Sequence, residues 1–258
     1  FNYEIAIISY NRADIIKEKT IKLLNKHNID PKRIRIFLET EELRQQYIDS
    51  IGDDYNYVIH GQQGMANSRN AERLYYHQHV SDEVEGVMLF DDDVEELNEL
   101  VDGKLQPVDN LEETLLYMFE TTKEKGFRFF GPCAFNNAFF MKDKVSTNLK
   151  FICGALHGLI IDKSKPLLQT DLDQFEDSLF TIEHFLQDGG VVRFDKYSIQ
   201  TKFWEKKGGM ADIMGGMDAR IQNMNDNSLV MAERYPNIVR IHKKKRGNDI
   251  RLNCRYKP

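Results

Sequence analysis

The sequence is short of cysteine, proline and long apolar runs, and each scarcity narrows what the protein is. Cys133, Cys153 and Cys254 are the only cysteines in 258 residues. Their odd number and the absence of any C-x-x-C spacing argue against a disulfide scaffold and a structural zinc site, and make a reducing, cytoplasmic setting the expectation. Six prolines and sixteen glycines are too few for a fibrous or low-complexity chain. No stretch approaches the ~20 apolar residues that cross a bilayer, and a strand-like segment beginning near residue 3 leaves no room for a signal peptide, so no membrane partner is expected. The remainder is ordinary for a globular protein, with 41% hydrophobic and 29% charged residues, and is long enough to bury a sizeable core.

The net charge of −6 is unevenly spread. Residues 240–258 carry eight basic side chains against the single acid Asp249, a net of +7, so the other 239 residues carry −13. Such an asymmetry points to a local polyanion contact, either a nucleotide diphosphate or a nucleic-acid backbone, unless the tail is merely solvated.

Hydrophobic periodicity alternates between strand and helix over the first third of the chain. Ile5–Ile8 reads as a strand, followed by a turn at Ser9–Arg12 and an amphipathic helix with Ile16, Thr20, Leu23, Leu24 and His27 on one face. Arg33–Leu38 and Tyr55–His60 read as further strands, with helices over 41–50 and 65–78, and Val87–Phe90 is a fourth, wholly apolar strand. This β-α alternation predicts a mainly parallel, Rossmann-like sheet whose ligands bind at the carboxyl ends of its strands. No G-x-G-x-x-G follows the first strand, so a dinucleotide-binding fold is not supported. The second half is less regular. Phe127–Phe130, Phe139–Met141, Phe151–Cys153, Leu156–Asp162 and Val191–Gln200 read as short strands, with helices near 111–124, 177–187 and 217–234. Gly208-Gly209 and Gly215-Gly216 punctuate a predicted mobile loop, and with no linker or repeat the two halves are expected to share one sheet.

Asp91-Asp92-Asp93 at the end of the fourth strand is the sharpest chemical signal. Three adjacent carboxylates repel one another unless something positive is near, and a hard divalent cation, Mn²⁺ or Mg²⁺, is an economical answer. The alternative is an acidic loop continuing into Glu95 and Glu96. Glu176-Asp177 falls where a loop becomes a helix; the pair serves either as a dipole-complementing cap or as a general base. His242, next to the Lys243–Arg246 cluster, is either a surface residue or a third metal ligand beside phosphates. Trp204, the single tryptophan, either packs or forms a sugar platform, and Arg69 and Asn70 either cap their helix or reach a nucleotide.

Taken in order, Ile5–Arg12, Glu39, Gly64-Met-Ala-Asn-Ser-Arg-Asn70, Phe90-Asp-Asp-Asp93 and Phe175-Glu-Asp177 resemble the GT-A glycosyltransferases, close to family 2. The resemblance covers most of the chain and implies a single domain over 1–258, with a nucleotide-sugar-binding half (1–93) and a mixed acceptor-binding half (94–258). It implies that Ser9, Asn11, Arg12, Glu39 and Arg69 line the pocket of a nucleotide-diphosphate sugar, UDP-linked by expectation. Asp91 and Asp92 approach the ribose and metal, Asp93 ligates the metal with His242 in support, and Lys243 to Arg246 steady the leaving diphosphate. Asp177, or failing it Glu176, deprotonates the acceptor. The usual Gln-x-x-Arg-Trp motif is missing, and Trp204-Glu-Lys-Lys-Gly-Gly stands in its place. The run F-D-D-D-V-E-E, the F-E-D-S helix and the ending I-H-K-K-K-R are similar to the TET/JBP-associated glycosyltransferases, found largely in phages. That likeness implies a hydroxymethylated pyrimidine of DNA, such as hydroxymethylcytosine, as acceptor, with Phe135, Phe139, Phe140 and Trp204 as aromatic walls for a flipped base. The alternatives are a polysaccharide or protein acceptor, a nucleotidyltransferase, or a noncatalytic nucleotide- or nucleic-acid-binding module.

Overall fold

The computed structural model describes residues 1–201, 215–245 and 247–258. Trp204, Phe203, the Gly208-Gly209 pair and Arg246 lie outside these residues.

Strand β1 (Tyr3–Ile8) is buried along nearly its whole length, as expected of an apolar run that must be covered on both faces. It is followed by a helical segment over 13–26, in which α1 (Ala13–Ile16) and α2 (Lys22–Lys26) flank a π turn at Lys17–Ile21. Then come β2 (Ile34–Leu38), α3 (Glu41–Ile51), β3 (Asn56–Ile59), α4 (Met65–Gln78) and β4 (Gly86–Asp91). Thr40 caps α3 by accepting from Leu43 N at 3.3 Å, and Glu41 and Glu42 complement the helix dipole. The four strands are parallel, in the order β3-β2-β1-β4, since each helical crossover returns the chain to the same sheet edge.

After β4 the expectation and the structure part company. Strands β5 (Glu96–Val101) and β6 (Lys104–Pro107) form a hairpin about Asp102-Gly103. Both turn residues have positive φ, 49° and 75°, the geometry that an Asp-Gly pair favours in a two-residue hairpin. Helix α5 (Leu111–Glu124) matches its predicted span, and β7 (Phe129–Cys133) follows. The expected strand at Phe139–Met141 is instead a 3₁₀ turn over Ala138–Phe140, because the Asn137 side chain accepts from Phe139 N at 3.0 Å and starts a turn. Phe151–Cys153 is not a strand either. There Ile152 N donates to Thr181 Oγ1, 3.2 Å away, so a side chain replaces a ladder partner. Short β8 (Val145–Ser146), then β9 (Leu156–Ile160), α6 (Glu176–Asp188) and β10 (Val192–Gln200) complete the sheet. Helix α7 (Met217–Arg234) leads into a separate hairpin of β11 (Val239–Lys244) and β12 (Gly247–Leu252), tied to α7 by Asn248 N donating to Asn225 Oδ1 at 2.7 Å.

The sheet order continues β4-β9-β7-β10-β5-β6, with β8 paired to β10. The architecture is therefore mixed α/β around one large sheet, mostly parallel in its first half. Strand β9 is antiparallel to both neighbours, so β7 and β10 run in the direction of β4. Consequently Ser9–Arg12, Glu39, His60–Gly64, Asp91–Asp93, Ala134–Phe140 and Thr201, together with the start of β9, all emerge at one edge. No described helix is long and apolar enough to cross a membrane, and all three cysteines are free.

Close packing of strands β9 and β7 leaves no room for a side chain at Gly158. A Cβ there would stand 2.0 Å from Phe130 Cζ, and that fully buried ring is held against Phe119, with centroids 4.8 Å apart, and Phe194, 6.0 Å away. Gly158→Ala is expected to destabilise the protein by at least ~1–3 kcal/mol through overpacking, seen as a lower urea midpoint; an unchanged midpoint would contradict this packing.

Candidate active site

The first strand ends in a tight turn. Asn11 takes φ 52°, a left-handed conformation that asparagine tolerates better than most residues, and the turn delivers Arg12 back over the sheet edge. An open cleft of about 470 Å³ lies beside it, lined by Tyr10, Asn11, Glu39, Leu43, Gln62 and Gln63, within the volume range of small-molecule sites. Glu39 is buried, accepts from Gly64 N at 3.2 Å, and is pushed above the usual carboxylate range by burial.

The three aspartates each have a different partner. Asp92 accepts from Ser9 Oγ at 2.5 Å and from Arg12 Nη1 at 2.7 Å. Asp93 accepts from Arg12 Nη2 at 3.2 Å and from Thr201 Oγ1 at 2.8 Å. Asp91 accepts from Arg69 Nη2 at 2.7 Å. The positive charge that this triplet demands is therefore supplied within the chain by Arg12 and Arg69. Burial still pushes Asp92 up to about 7, and burial together with the Asp91 charge raises Asp93. Two supporting hydroxyls give no signal in the sequence. Tyr47 OH lies 2.6 Å from Ser9 Oγ and accepts from Arg12 N at 3.0 Å. Thr20, carried by the π turn, donates to the Asp91 carbonyl at 2.7 Å and accepts from Val94 N at 3.0 Å, clamping the acidic turn. By periodicity alone, Thr20 is one more position on the buried helix face.

Asp91 and Asp93 offer the hard oxygen donors that Mn²⁺ or Mg²⁺ takes alongside phosphates. The raised Asp93 beside a second carboxylate is also the electrostatic condition that a bound cation relieves. By chemistry, this pair fits a divalent ion. The expected trio of Asp91, Asp93 and His242 is not assembled, since no group of three or more His, Cys, Asp or Glu among the described residues is arranged to hold a metal. His242 is in β11 opposite Asp249, with Nε2 3.3 Å from Arg251 Nη2. Lys243 is exposed on the same hairpin, and Lys244 is paired with Asp249.

Glu176 and Asp177 open α6 directly after Phe175, whose φ of 65° is left-handed. An aromatic residue there is strained, and such strain is usually kept where a site needs it. Asp177 is oriented by two backbone donors, Gly154 N at 3.2 Å and Ser178 N at 2.7 Å. Glu176 Oε1 lies 4.0 Å from Arg69 Nε. Burial raises both carboxyls, and for Glu176 the neighbouring Asp177 charge adds to it. Arg69, only 2% exposed, also donates to the Gly154 carbonyl at 3.0 Å and pairs with Glu72 at 3.4 Å. Gly154 is the unforeseen pivot. A Cβ there would lie 3.3 Å from both Asp177 Cβ and Glu176 Oε1 and 3.4 Å from Arg69 Nη2. From α7, Arg220 comes within electrostatic range of Glu176. Ser9, Arg12, Arg69, Asp91, Asp92, Asp93, Glu176 and Asp177 thus form one connected polar site, with Asn11 and Glu39 in the adjoining cleft.

No known family matches the sequence, and no curated protein does. Solved structures do match. Glucosyl-3-phosphoglycerate synthase from Mycobacterium tuberculosis, in complex with Mn²⁺, UDP and glucosyl-3-phosphoglycerate, is 6% identical, with a TM-score of 0.50 over 97% of this chain and 86% of that one. The same enzyme with Mn²⁺, UDP-glucose and phosphoglyceric acid is 7% identical, with the same coverage and TM-score 0.50. A mycobacterial protein matches at 6% identity and TM-score 0.51, over 97% of this chain and 83% of that one. At these identities the likeness is one of fold alone, a mixed α/β fold of GT-A type.

The raised carboxyl of Glu176 carries a stability signature. A folded-state pKa above the unfolded value favours folding at low pH, and the benefit disappears as pH rises through the folded value. Glu176→Gln is therefore expected to raise the melting temperature at about pH 9 but not at about pH 5. Equal shifts at both values would contradict the raised pKa.

Proposed function

We propose that this protein is a metal-dependent glycosyltransferase that moves a sugar from a nucleotide-diphosphate sugar, UDP-linked, to an acceptor hydroxyl. The finer reading is an acceptor in DNA, a hydroxymethylated pyrimidine of the kind found in phage genomes. The observation that carries the transferase reading is a single chain of contacts. Arg69 links Asp91, at the strand end beside the open cleft, to the Gly154 loop that orients Asp177. The UDP and Mn²⁺ held by the structural relative of the same fold support the donor and cofactor.

In this reading, residues 1–93 bind the donor. Asn11 and Glu39 flank the base and ribose, and Ser9 and Arg12 hold Asp92 and Asp93 in place. Asp91 and Asp93 are the residues that would hold the divalent ion, which when bound would neutralise charge on the departing diphosphate. Lys243 and Arg246 are assigned to the same diphosphate. Asp177 accepts the proton of the acceptor hydroxyl as its oxygen bonds to the anomeric carbon and the bond from that carbon to the diphosphate oxygen breaks. Two backbone donors fix the carboxylate for this role, and burial sets its proton affinity closer to neutrality than an exposed aspartate's, which suits a general base.

Incubation with Mn²⁺, a panel of nucleotide sugars and DNA containing hydroxymethylated pyrimidines, followed by digestion and mass spectrometry of the nucleosides, tests donor, acceptor and reaction together. A nucleoside heavier by one sugar is expected. Slow release of nucleotide diphosphate without a heavier nucleoside would keep the transferase and remove the DNA acceptor. Asp177→Asn should lower turnover roughly a hundredfold or more while leaving donor binding intact. With Asp177 pushed up to about 6, wild-type kcat/KM should rise through that pH as the base ionises. Near-normal turnover of the Asn variant would reassign the base to Glu176. Asp93→Asn should abolish metal-dependent turnover, and full wild-type activity in excess chelator would overturn the metal assignment.

A further inference from the structure

Three phenylalanines stand in water at the edge of the sheet that carries the acidic site. Phe135 is 58% exposed, Phe139 85% and Phe140 58%, whereas the next residue, Met141, is 4% exposed. The segment therefore reaches the core and still displays its rings, an arrangement opposed by the hydrophobic effect unless something covers them. The rings are organised. Phe139 and Phe140 meet at 5.1 Å and 90°, and Phe135 lies 5.8 Å from Phe140.

The backbone beneath them is pinned. Asn136 Oδ1 accepts from both Asn98 Nδ2 and Ser198 Oγ, each at 2.9 Å, and Asn137 caps the 3₁₀ turn that carries Phe139 and Phe140. Three residues beyond Ser198, Thr201 donates to Asp93. One strand end thus ties the aromatic step to the acidic site. Phe135, Phe139 and Phe140 project from the surface beside the site, while Trp204, the fourth expected aromatic wall, lies outside the described residues.

The surroundings favour a polyanion. Lys142 and Lys144 are exposed just beyond the rings, while Asp143 and Glu99 face Lys196 at 3.9 and 2.7 Å. Asn148 Nδ2 donates to the Cys254 carbonyl at 3.0 Å, but it follows β8, whose antiparallel pairing sets Ser146 opposite Arg193 and carries the chain away from the rings, so the flanking cations are Lys142 and Lys144. Phenylalanine rings offer flat faces and no hydrogen bonds, so they suit bases, whose π faces stack without regard to sequence. Flanking cations suit phosphates.

We propose that Phe135, Phe139 and Phe140 are a stacking step for unpaired bases of a nucleic-acid acceptor, whose backbone follows Lys142 and Lys144. This rests on the reading of the acceptor as nucleic acid, and adds that the strand is held unpaired and by which residues. The test is the binding of fluorescein-labelled oligothymidylate of roughly 20 nucleotides, single-stranded or annealed to its complement, followed by anisotropy across a salt series. Single-strand binding should exceed duplex binding. Phe139→Ala, at a position too exposed to disturb the core, should weaken it about tenfold without changing the salt slope, and adding Phe140→Ala should weaken it further. Lys142→Ala with Lys144→Ala should instead flatten the slope by about 0.7 for each phosphate no longer neutralised. Affinity unchanged by both phenylalanine substitutions, or a preference for duplex, overturns the proposal. Release of UDP from UDP-sugars by the wild-type protein separates this proposal from the parent reading. Donor turnover without oligonucleotide binding keeps the transferase and removes the step; Phe139-dependent binding without donor turnover supports the step and removes the transferase.

Discussion

The buried guanidinium of Arg69 holds the candidate site together, because it is the cation shared by segments that are otherwise far apart in sequence. It pairs with Asp91 at the end of β4, with Glu72 one turn along its own helix and with the carbonyl of Gly154, and it lies within reach of Glu176. A charge so deeply buried is tolerated only when its donors are satisfied, and removing one partner of such a network typically costs about 3–5 kcal/mol. The strand end, the loop before β9 and the start of α6 are therefore locked to a common point. Gly154 is what lets them meet, since any side chain there would crowd both carboxyls and the guanidinium.

Around this point the protein accepts several unfavourable terms. Asp92, Asp93, Glu176 and Asp177 are all pushed upward by burial, and Phe175 sits in a left-handed conformation immediately before the acid pair. A chain selected only for stability would replace these acids with neutral or apolar groups. Their concentration at one sheet edge is the pattern of a site whose electrostatics serve a ligand or a reaction.

The reversal of direction at β9 widens that edge. Were β9 parallel to its neighbours, the Gly154 loop would leave from the opposite end of the sheet, far from Asp91. Instead Asp91 N donates to the Ala155 carbonyl at 2.9 Å, and the strands beyond β9 return their carboxyl ends to the same side. The open cleft, the acids and the exposed phenylalanines are thereby laid out along one rim, with the cleft at β1–β3 and the phenylalanines beyond β7.

Local patterns make much of this legible in the sequence. The first four strands, the helices over 41–51, 65–78, 111–124 and 217–234, and the placement of Ser9, Arg12, Glu39 and Asp91–Asp93 after strands are set by periodicity, caps and turn residues close along the chain. The Asp102-Gly103 hairpin is not among the expected elements, because the strands flanking the dipeptide lack a clear alternation. Which groups meet is a matter of packing alone. Arg12 and Arg69 neutralise aspartates that lie 80 and 22 residues away, a pairing that no local spacing encodes. Thr20, Tyr47, Gly154 and Thr201 read as ordinary residues until the fold brings hydroxyls and backbone amides against the acids. The elements, and the chemistry available at their ends, are properties of the sequence because they depend on neighbours within a turn or two. The shared cation, the raised carboxyls and the exposed aromatic rim exist only once distant segments are packed together and water is excluded.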